Sequence, residues 1–508
     1  MNAKIHEIIE RRKSQVEFRT DRTQANFGSP QLTQAPVSYE IGEKTQAVAH
    51  GGLALIHQVA LRTGLYDALN SVPVLKHHLP YMEADHLLNI AYNFLCGGTA
   101  LEHIEYRRQD PTHLDMLGAH CIPDPTTAGD FCRRLSATQI DALQDAVNET
   151  RLGVWALQGR SFFDEAVVDM DGTIAPTGGE CKQGMDISYN GQWGYHPLIV
   201  SLAKTKEILY TLNRSGNRPS HEGAHAYVDK CIALLKRAGF RRIRFRGDGD
   251  FTQTAHLDRW DDEGVFFTFG IDAMSNLVDI AEGLRNKDWE RLSRPTKYEV
   301  KTTPRGRREN VKDRIVEERE YVKLELHHED VAEVEYRPVK CKRAYRLVIL
   351  RKTITVKKGQ KLLLPEIRYF FYLTNDGTRT APEVVFDAND RCDQENLIGQ
   401  LKSGLGAMRM PLDNLHSNWV YLVASSLAWT LKSWSALILP SDGRKPKEVA
   451  TKKRLIGMEF RTFLQAMVMV PAQVLESGRR IVVRLLNVNV WTETFFRLYD
   501  ALRRPLLE

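Results

Sequence analysis

The stretch "FFDEAVVDMDGTIAP", residues 162–176, changes the character of the chain. Before it, apolar residues recur at helical spacing; within it, β-branched and polar residues alternate. A period of two puts Asp169 and Asp171 on one side of a strand and Val168 and Met170 on the other. The elements that follow decide which kind of sheet this strand opens. Residues 196–205 and 207–217 read as two apolar runs joined by a polar turn, a hairpin. Residues 220–240 read as a helix capped by Ser220 and stopped by Gly239. "RRIRFRGDGDF" (241–251) is a strand running into a Gly–Asp turn. A short helix follows, then the strand "VFFTFGID" (265–272). That order predicts a mixed α/β sheet with acids at its strand ends.

On the N-terminal side, residues 1–45 lack periodicity and read as an arm, whereas 51–158 are helical in pattern. Asp124 is an N-cap with Pro125 at the first helical position, and Ser136 is a second cap. An all-helical N-terminal region, 1–160, is therefore expected ahead of the first core segment, 161–272. Residues 273–365 read as a β-rich insertion that includes the charged run "KTTPRGRRENVKDR" (301–314). "RYFFYLTN" (368–375) returns to the main sheet and opens the second core segment, 366–440. The C-terminal region, 441–508, reads as mainly helical, with 459–480 helical and 480–486 strand-like. The apolar run 419–440 contains Lys432 and several Ser and Thr residues, which predicts a buried core helix, not a membrane span.

Composition narrows the function without naming it. With 508 residues, 43% hydrophobic and 26% charged, the chain can bury more than one core. Its 70 Lys and Arg against 64 Asp and Glu give a net +6, which permits a polyanionic partner without demanding one. Seven scattered cysteines with no C-x-x-C pair predict neither a disulfide framework nor a zinc site, and fit a reducing cytoplasm. The first 18 residues contain no apolar signal segment, so a cytoplasmic location is expected. No G-x-x-x-x-G-K-[ST] sequence is present, which removes nucleotide hydrolysis from consideration.

Three acids stand out by position. Asp171 ends the first strand, Asp248 ends the strand at 241–247, and Glu395 lies in "ANDRCDQENLIGQLK" (388–402), read as one helix after the last strand. Carboxylates at the carboxyl ends of neighbouring strands meet where such sheets place their sites. Three together repel one another unless cations bind, and Mg²⁺, a hard ion taking a few carboxylates, suits them. Asp169 shares a strand face with Asp171 and Asp250 neighbours Asp248, so each pair offers an alternative ligand; Asp171 and Asp248 are preferred. At 100° per residue Arg391, Glu395 and Lys402 share one helix face, an arrangement able to grip phosphate beside a metal.

These residues resemble the DDE transposases of bacterial insertion sequences, in the cut-and-paste group with a Tyr-Arg-Glu-Lys signature, and within it the family numbered thirteen-eighty. Arg391, Glu395 and Lys402 match the signature spacing, while Ala388 stands where the Tyr belongs. Asp169, Asp171 and Thr173 match Asp-x-Asp-x-Thr; Arg246, Asp248 and Phe251 match Arg-x-Asp-x-x-Phe. The resemblance spans roughly residues 50–480. It implies a ribonuclease-H-like core interrupted by the insertion. It also implies two Mg²⁺ ions, with Mn²⁺ able to replace them, on Asp171, Asp248 and Glu395. Asp169, Thr173 and Asn396 would support these ligands. DNA would be gripped by Arg391, Lys402, Arg246, Arg305, Arg307 and Arg308. Trp289 is a candidate to stack on a displaced base, although packing is the commoner role of such a ring. The implied partners are terminal inverted repeats, target DNA and, once DNA is bound, a second copy of the chain, in the bacterial nucleoid. A nuclease of the same fold that never joins ends, and an inactive DNA-binding descendant suggested by Ala388, are the alternatives.

Overall fold

The computed structural model describes residues 3–20, 37–39, 45–77, 80–294, 310–358, 361–362, 364–441, 445–478 and 480–505. Met1–Phe163, Gly172–Arg218 and Asn396–Glu508 pack as one compact unit, and Asp164–Asp171 with Pro219–Glu395 as another.

The second unit is built on a mixed sheet of β1 (Glu165–Gly172), β2 (Arg242–Gly247), β3 (Phe266–Ile271), β4 (Val322–Tyr336), β5 (Tyr345–Lys358) and β6 (Glu366–Thr374). Across it the order is β4-β5-β6-β3-β2-β1. β1, β2 and β3 run parallel, whereas β6 is antiparallel to β3 and β5 to β6. The expected mixed sheet is present, and the β-rich segment continues it. Arg346 faces Thr374 and the pairing persists to Ile354 opposite Glu366, so the long β4–β5 ribbon extends the same ladder.

The helix after the hairpin runs Ala224–Ala238 and stops at Gly239 (φ 89°), as the left-handed preference of glycine predicts. It starts later than expected, because Gly223 (φ 74°), and not Ser220, holds the N-cap position. The helix Ala381–Asp390 opens on Thr380, whose hydroxyl and Glu383 form a reciprocal cap. Its Val384 and Val385 are buried with Leu292, Val331, Val348 and Leu350. Each such valine contributes about 1.5–3 kcal/mol by leaving water. This packing fixes the helix whose end delivers Arg391 and Glu395.

The first unit is mostly helical. Leu415–Ile438 is buried almost throughout, as expected of a core helix, and among the described residues no helix is long and apolar enough to cross a membrane. Lys432 is fully buried, donating to the Ile456 carbonyl at 2.8 Å and lying 4.1 Å from the Trp429 ring centre. The anticipated caps hold: Asp124 accepts from the Thr126 and Thr127 amides, and Ser136 pairs reciprocally with Gln139. The hairpin Leu198–Leu202 and Glu207–Leu212 is also present.

Three expectations need correction. The N-terminal region is not all-helical, since Ala47–Val48 pairs with the strand Ala472–Ser477, itself paired with Arg480–Leu485. Residues 459–480 are not one helix; Phe460–Phe463 gives way to a π-helical turn, Leu464–Val468, and then to that strand. Pro471 has no amide to donate and ends the helical run. Finally, Ala3–Thr20 is a helix and not an irregular arm.

Candidate active site

Asp169 of β1 faces Arg246 of β2 at the last paired position of the two parallel strands. Two residues further along each strand stand Asp171 and Asp248. The two-residue period keeps each on its predecessor's face, and neighbouring strands lie about 4.8 Å apart. Both acids therefore emerge at the same end of adjacent strands, where parallel sheets place their ligands.

The turn holding Asp248 is tightly built. The Phe251 amide donates to the Asp248 carbonyl at 3.1 Å, and the buried Phe251 ring packs on Gly247, where an added Cβ would meet Phe251 Cβ at 2.7 Å. From β3, Gly270 approaches so closely that a Cβ there would lie 3.1 Å from the Gly249 nitrogen. The spacing Arg-x-Asp-x-x-Phe thus encodes an anchor, a presented acid and a buried plug. Asp248 Oδ1 is buried without a hydrogen-bond partner among the described residues. Burial pushes its carboxyl above the usual range; the charge of Arg391 pulls it down, and Asp250 and Asp272 add to the rise.

Arg391 caps the C-terminus of Ala381–Asp390 and donates from Nη1 to Asp171 Oδ2 at 3.1 Å. The Gln394 amide bonds the Arg391 carbonyl at 2.8 Å, continuing helical winding into Cys392–Gly399, so Glu395 follows one turn later and is exposed. Arg391 thereby links Asp171 to the start of the Glu395 helix while acting electrostatically on Asp248.

Several candidates fall elsewhere. The stretch 388–402 is not one helix: Arg391 sits at a joint, and Lys402 lies on the π-helical turn Gln400–Leu405. A π turn winds more residues per turn, so seven positions no longer return to one face. Lys402 and Asn396 are exposed and Thr173 is buried, all three in the first unit, where the Thr173 amide donates to the Pro197 carbonyl at 3.0 Å. Arg305, Arg307 and Arg308 lie outside the described residues.

Arg246 is not a DNA-facing cation. It is 5% exposed, and its Nε and Nη2 donate to the two Asp169 oxygens at 2.7 and 2.9 Å. Its Nη1 reaches the Asp387 carbonyl at 2.9 Å and Oδ1 at 3.2 Å. Arg244 is equally buried, paired with Asp376 and Glu165. Arg244 and Arg246 of β2 are internal counter-ions, because this strand lies inside the sheet. Asp169 is consumed as well. Burial raises its carboxyl and the Arg246 fork lowers it, which removes it from the ligand alternatives. Trp289 has one ring face covered by Arg351, 4.1 Å from its centre, with Tyr369 tilted beside it at 6.3 Å, the contacts of a packed ring.

Asp387 is the residue that sequence reasoning missed. It joins Arg246, Arg379 (2.9 Å) and Thr268 (3.4 Å), and so clamps the helix that leads to Glu395 onto β2 and β3. The available signal was an acid three positions after Val384 on the buried face of an amphipathic helix, where a charge needs a partner. Asp387→Ala should weaken divalent-ion binding at the three acids about 10-fold by loosening this clamp. Asp387→Asn should lose less, and calorimetric titration with Mn²⁺ of the two variants checks both.

The donor set suits a divalent cation. Asp171, Asp248 and Glu395 offer hard carboxylate oxygens, and the buried, unpartnered Oδ1 of Asp248 is an atom that a cation would satisfy.

A family model described as "Transposase DDE domain group 1" matches residues 41–506. The chain belongs to this family of transposases. No curated protein matches it. Among solved structures, the DDE transposase chain is similar to one titled "Cryo-EM structure of piggyBac transposase synaptic complex with hairpin DNA (SNHP)". The two share 10% identity over 92% of this chain and 88% of that one, with a TM-score of 0.36. DDE transposases use divalent metal ions as a family, which agrees with the donor set of this transposase.

Proposed function

We propose that this chain is the DNA transposase of a bacterial insertion sequence, in the family numbered thirteen-eighty. The observation that carries the reading is the placement of Asp171 and Asp248 two residues beyond the last paired position of adjacent parallel strands, with Arg391 bonding Asp171 at the start of the helix of Glu395. In this reading Asp171, Asp248 and Glu395 hold two Mg²⁺ ions, with Mn²⁺ able to replace them. Such ions, when bound, activate a water or 3′-hydroxyl and stabilise the leaving oxygen of an in-line displacement at phosphorus.

The chain's own residues orient the substrate. The planar Arg391 fork suits phosphate oxygens. The capped helices of 123–158 read the terminal inverted repeats, assisted by the basic C-terminal region. Freed 3′-hydroxyls are then joined to target DNA. Bringing two ends together calls for at least a dimer on DNA.

The test is cleavage of a labelled duplex carrying the element's terminal repeat, with Mg²⁺, with Ca²⁺ and with Glu395→Ala. Mg²⁺-dependent nicking at the repeat boundary, lost in Glu395→Ala, is the expected result. Cutting without strand-transfer products would favour a nuclease. Repeat binding with no cleavage under any metal would sink the enzyme reading and leave an inactive DNA-binding protein.

A further inference from the structure

Within the first unit, three potential ligands converge from separate elements. His50 follows the strand Ala47–Val48, Cys96 caps the end of Glu83–Leu95, and His113 lies in Pro111–Leu117. All three are buried, at 4%, 2% and 2% exposure, and one ligand atom from each lies within 4.8 Å of the others. The geometry points to a transition-metal site, of the kind Zn²⁺ fills, formed by His50, Cys96 and His113. Nothing about this site depends on the acids of β1 and β2. Cysteine spacing does not bear on it, because the ligands are scattered in sequence and only the fold assembles them.

Two imidazoles and a thiolate are a donor set that selects zinc over the hard ions suited to carboxylates. Neutral imidazole nitrogens are the form that donates a lone pair to a metal. Their Nε2 and Nδ1 atoms lie 2.8 Å apart. Zinc at ordinary bond lengths would place ligand atoms roughly 3.3–3.7 Å apart, so the pair opens by about half an ångström and Cys96 draws in. Binding releases the Cys96 thiol proton. Arg107 donates to the Cys96 carbonyl at 2.8 Å. His113 also lines a cavity of about 370 Å³ with His57, Asn93 and Arg107. A metal here would staple the segment entering the Leu53–Arg62 helix to two helices of the N-terminal region.

The probe is Co²⁺ added to the full chain after chelator treatment. Oxygen ligands give cobalt no thiolate charge-transfer band, so the acid site is silent in this readout. One band-forming cobalt per chain is expected, lost in Cys96→Ser and reduced at least 10-fold in affinity in His113→Gln. The band should persist in Asp248→Asn and in Cys181→Ser, and zinc should displace it while raising the melting temperature by several degrees. A folded wild-type chain that takes up cobalt without the band, or a band that survives Cys96→Ser, overturns the site.

Discussion

Asp248→Asn should remove metal-dependent DNA cleavage by about 10³-fold or more, on the scale of ~4 kcal/mol of transition-state stabilisation, while making the metal-free protein more stable at neutral pH. The two halves of this expectation share one cause. Asp248 Oδ1 is buried without a partner, and burial raises its carboxyl above the usual value. A raised carboxylate fits the fold less well when charged than it does in the unfolded chain. The resulting penalty is absent below the unfolded pKa, about 3.9, and grows as pH rises through the folded one. Asn carries no such charge, so its melting temperature should exceed that of wild type at pH 7 and match it near pH 4. Adding Mn²⁺ should reverse the order, since only wild type gains from the ion. Melting curves at the two pH values, with and without Mn²⁺, read all of this. A variant less stable than wild type at pH 7 without metal would mean that Asp248 is a structural acid, and the site assignment would fail with it.

Glu207→Ala should be the most damaging single change to the first unit, costing about 3–5 kcal/mol. Glu207 is fully buried and accepts from Arg151 Nε at 3.0 Å, Trp155 Nε1 at 2.8 Å and Trp434 Nε1 at 2.8 Å. Arg151 is fully buried too, and its Nη2 reaches only as far as the Ile208 carbonyl, 2.7 Å away. Removing the carboxylate leaves an uncompensated guanidinium and two indole donors inside the protein. Arg151→Met with Glu207→Leu removes both charges and should recover most of the loss, because an apolar pair of similar volume replaces a buried ion pair at little cost. Urea denaturation followed by near-ultraviolet circular dichroism, which reports the two tryptophans, compares the variants. A double variant as unstable as Glu207→Ala would refute the charge-burial explanation.

Local physical chemistry made much of this protein legible in its sequence. Two-residue alternation predicts the strands of Asp171 and Asp248; Asp124, Ser136 and Gly239 mark helix ends where such residues satisfy terminal backbone groups or adopt positive φ. Lys432 in an apolar run separates a core helix from a membrane span, and the order of acids along the chain singles out the three carboxylates. What the sequence left undecided depended on which distant residues become neighbours. Arg246 looked like a cation for DNA until β2 proved internal and Asp169 and Asp387 surrounded its guanidinium. Lys402 left the predicted face because the backbone changes to a π turn after Gly399. Ala472–Ser477 became a strand in a hairpin with Arg480–Leu485, and Ala47–Val48, more than 400 residues away in the chain, pairs with its other edge. Charge alone does not distinguish an exposed arginine from a buried counter-ion. That distinction is a matter of desolvation, and desolvation is set by tertiary packing. His50, Cys96 and His113 were unreadable as a set for the same reason: a metal site is defined by the convergence of a few atoms in space, and for these ligands only the folded helices bring that convergence about.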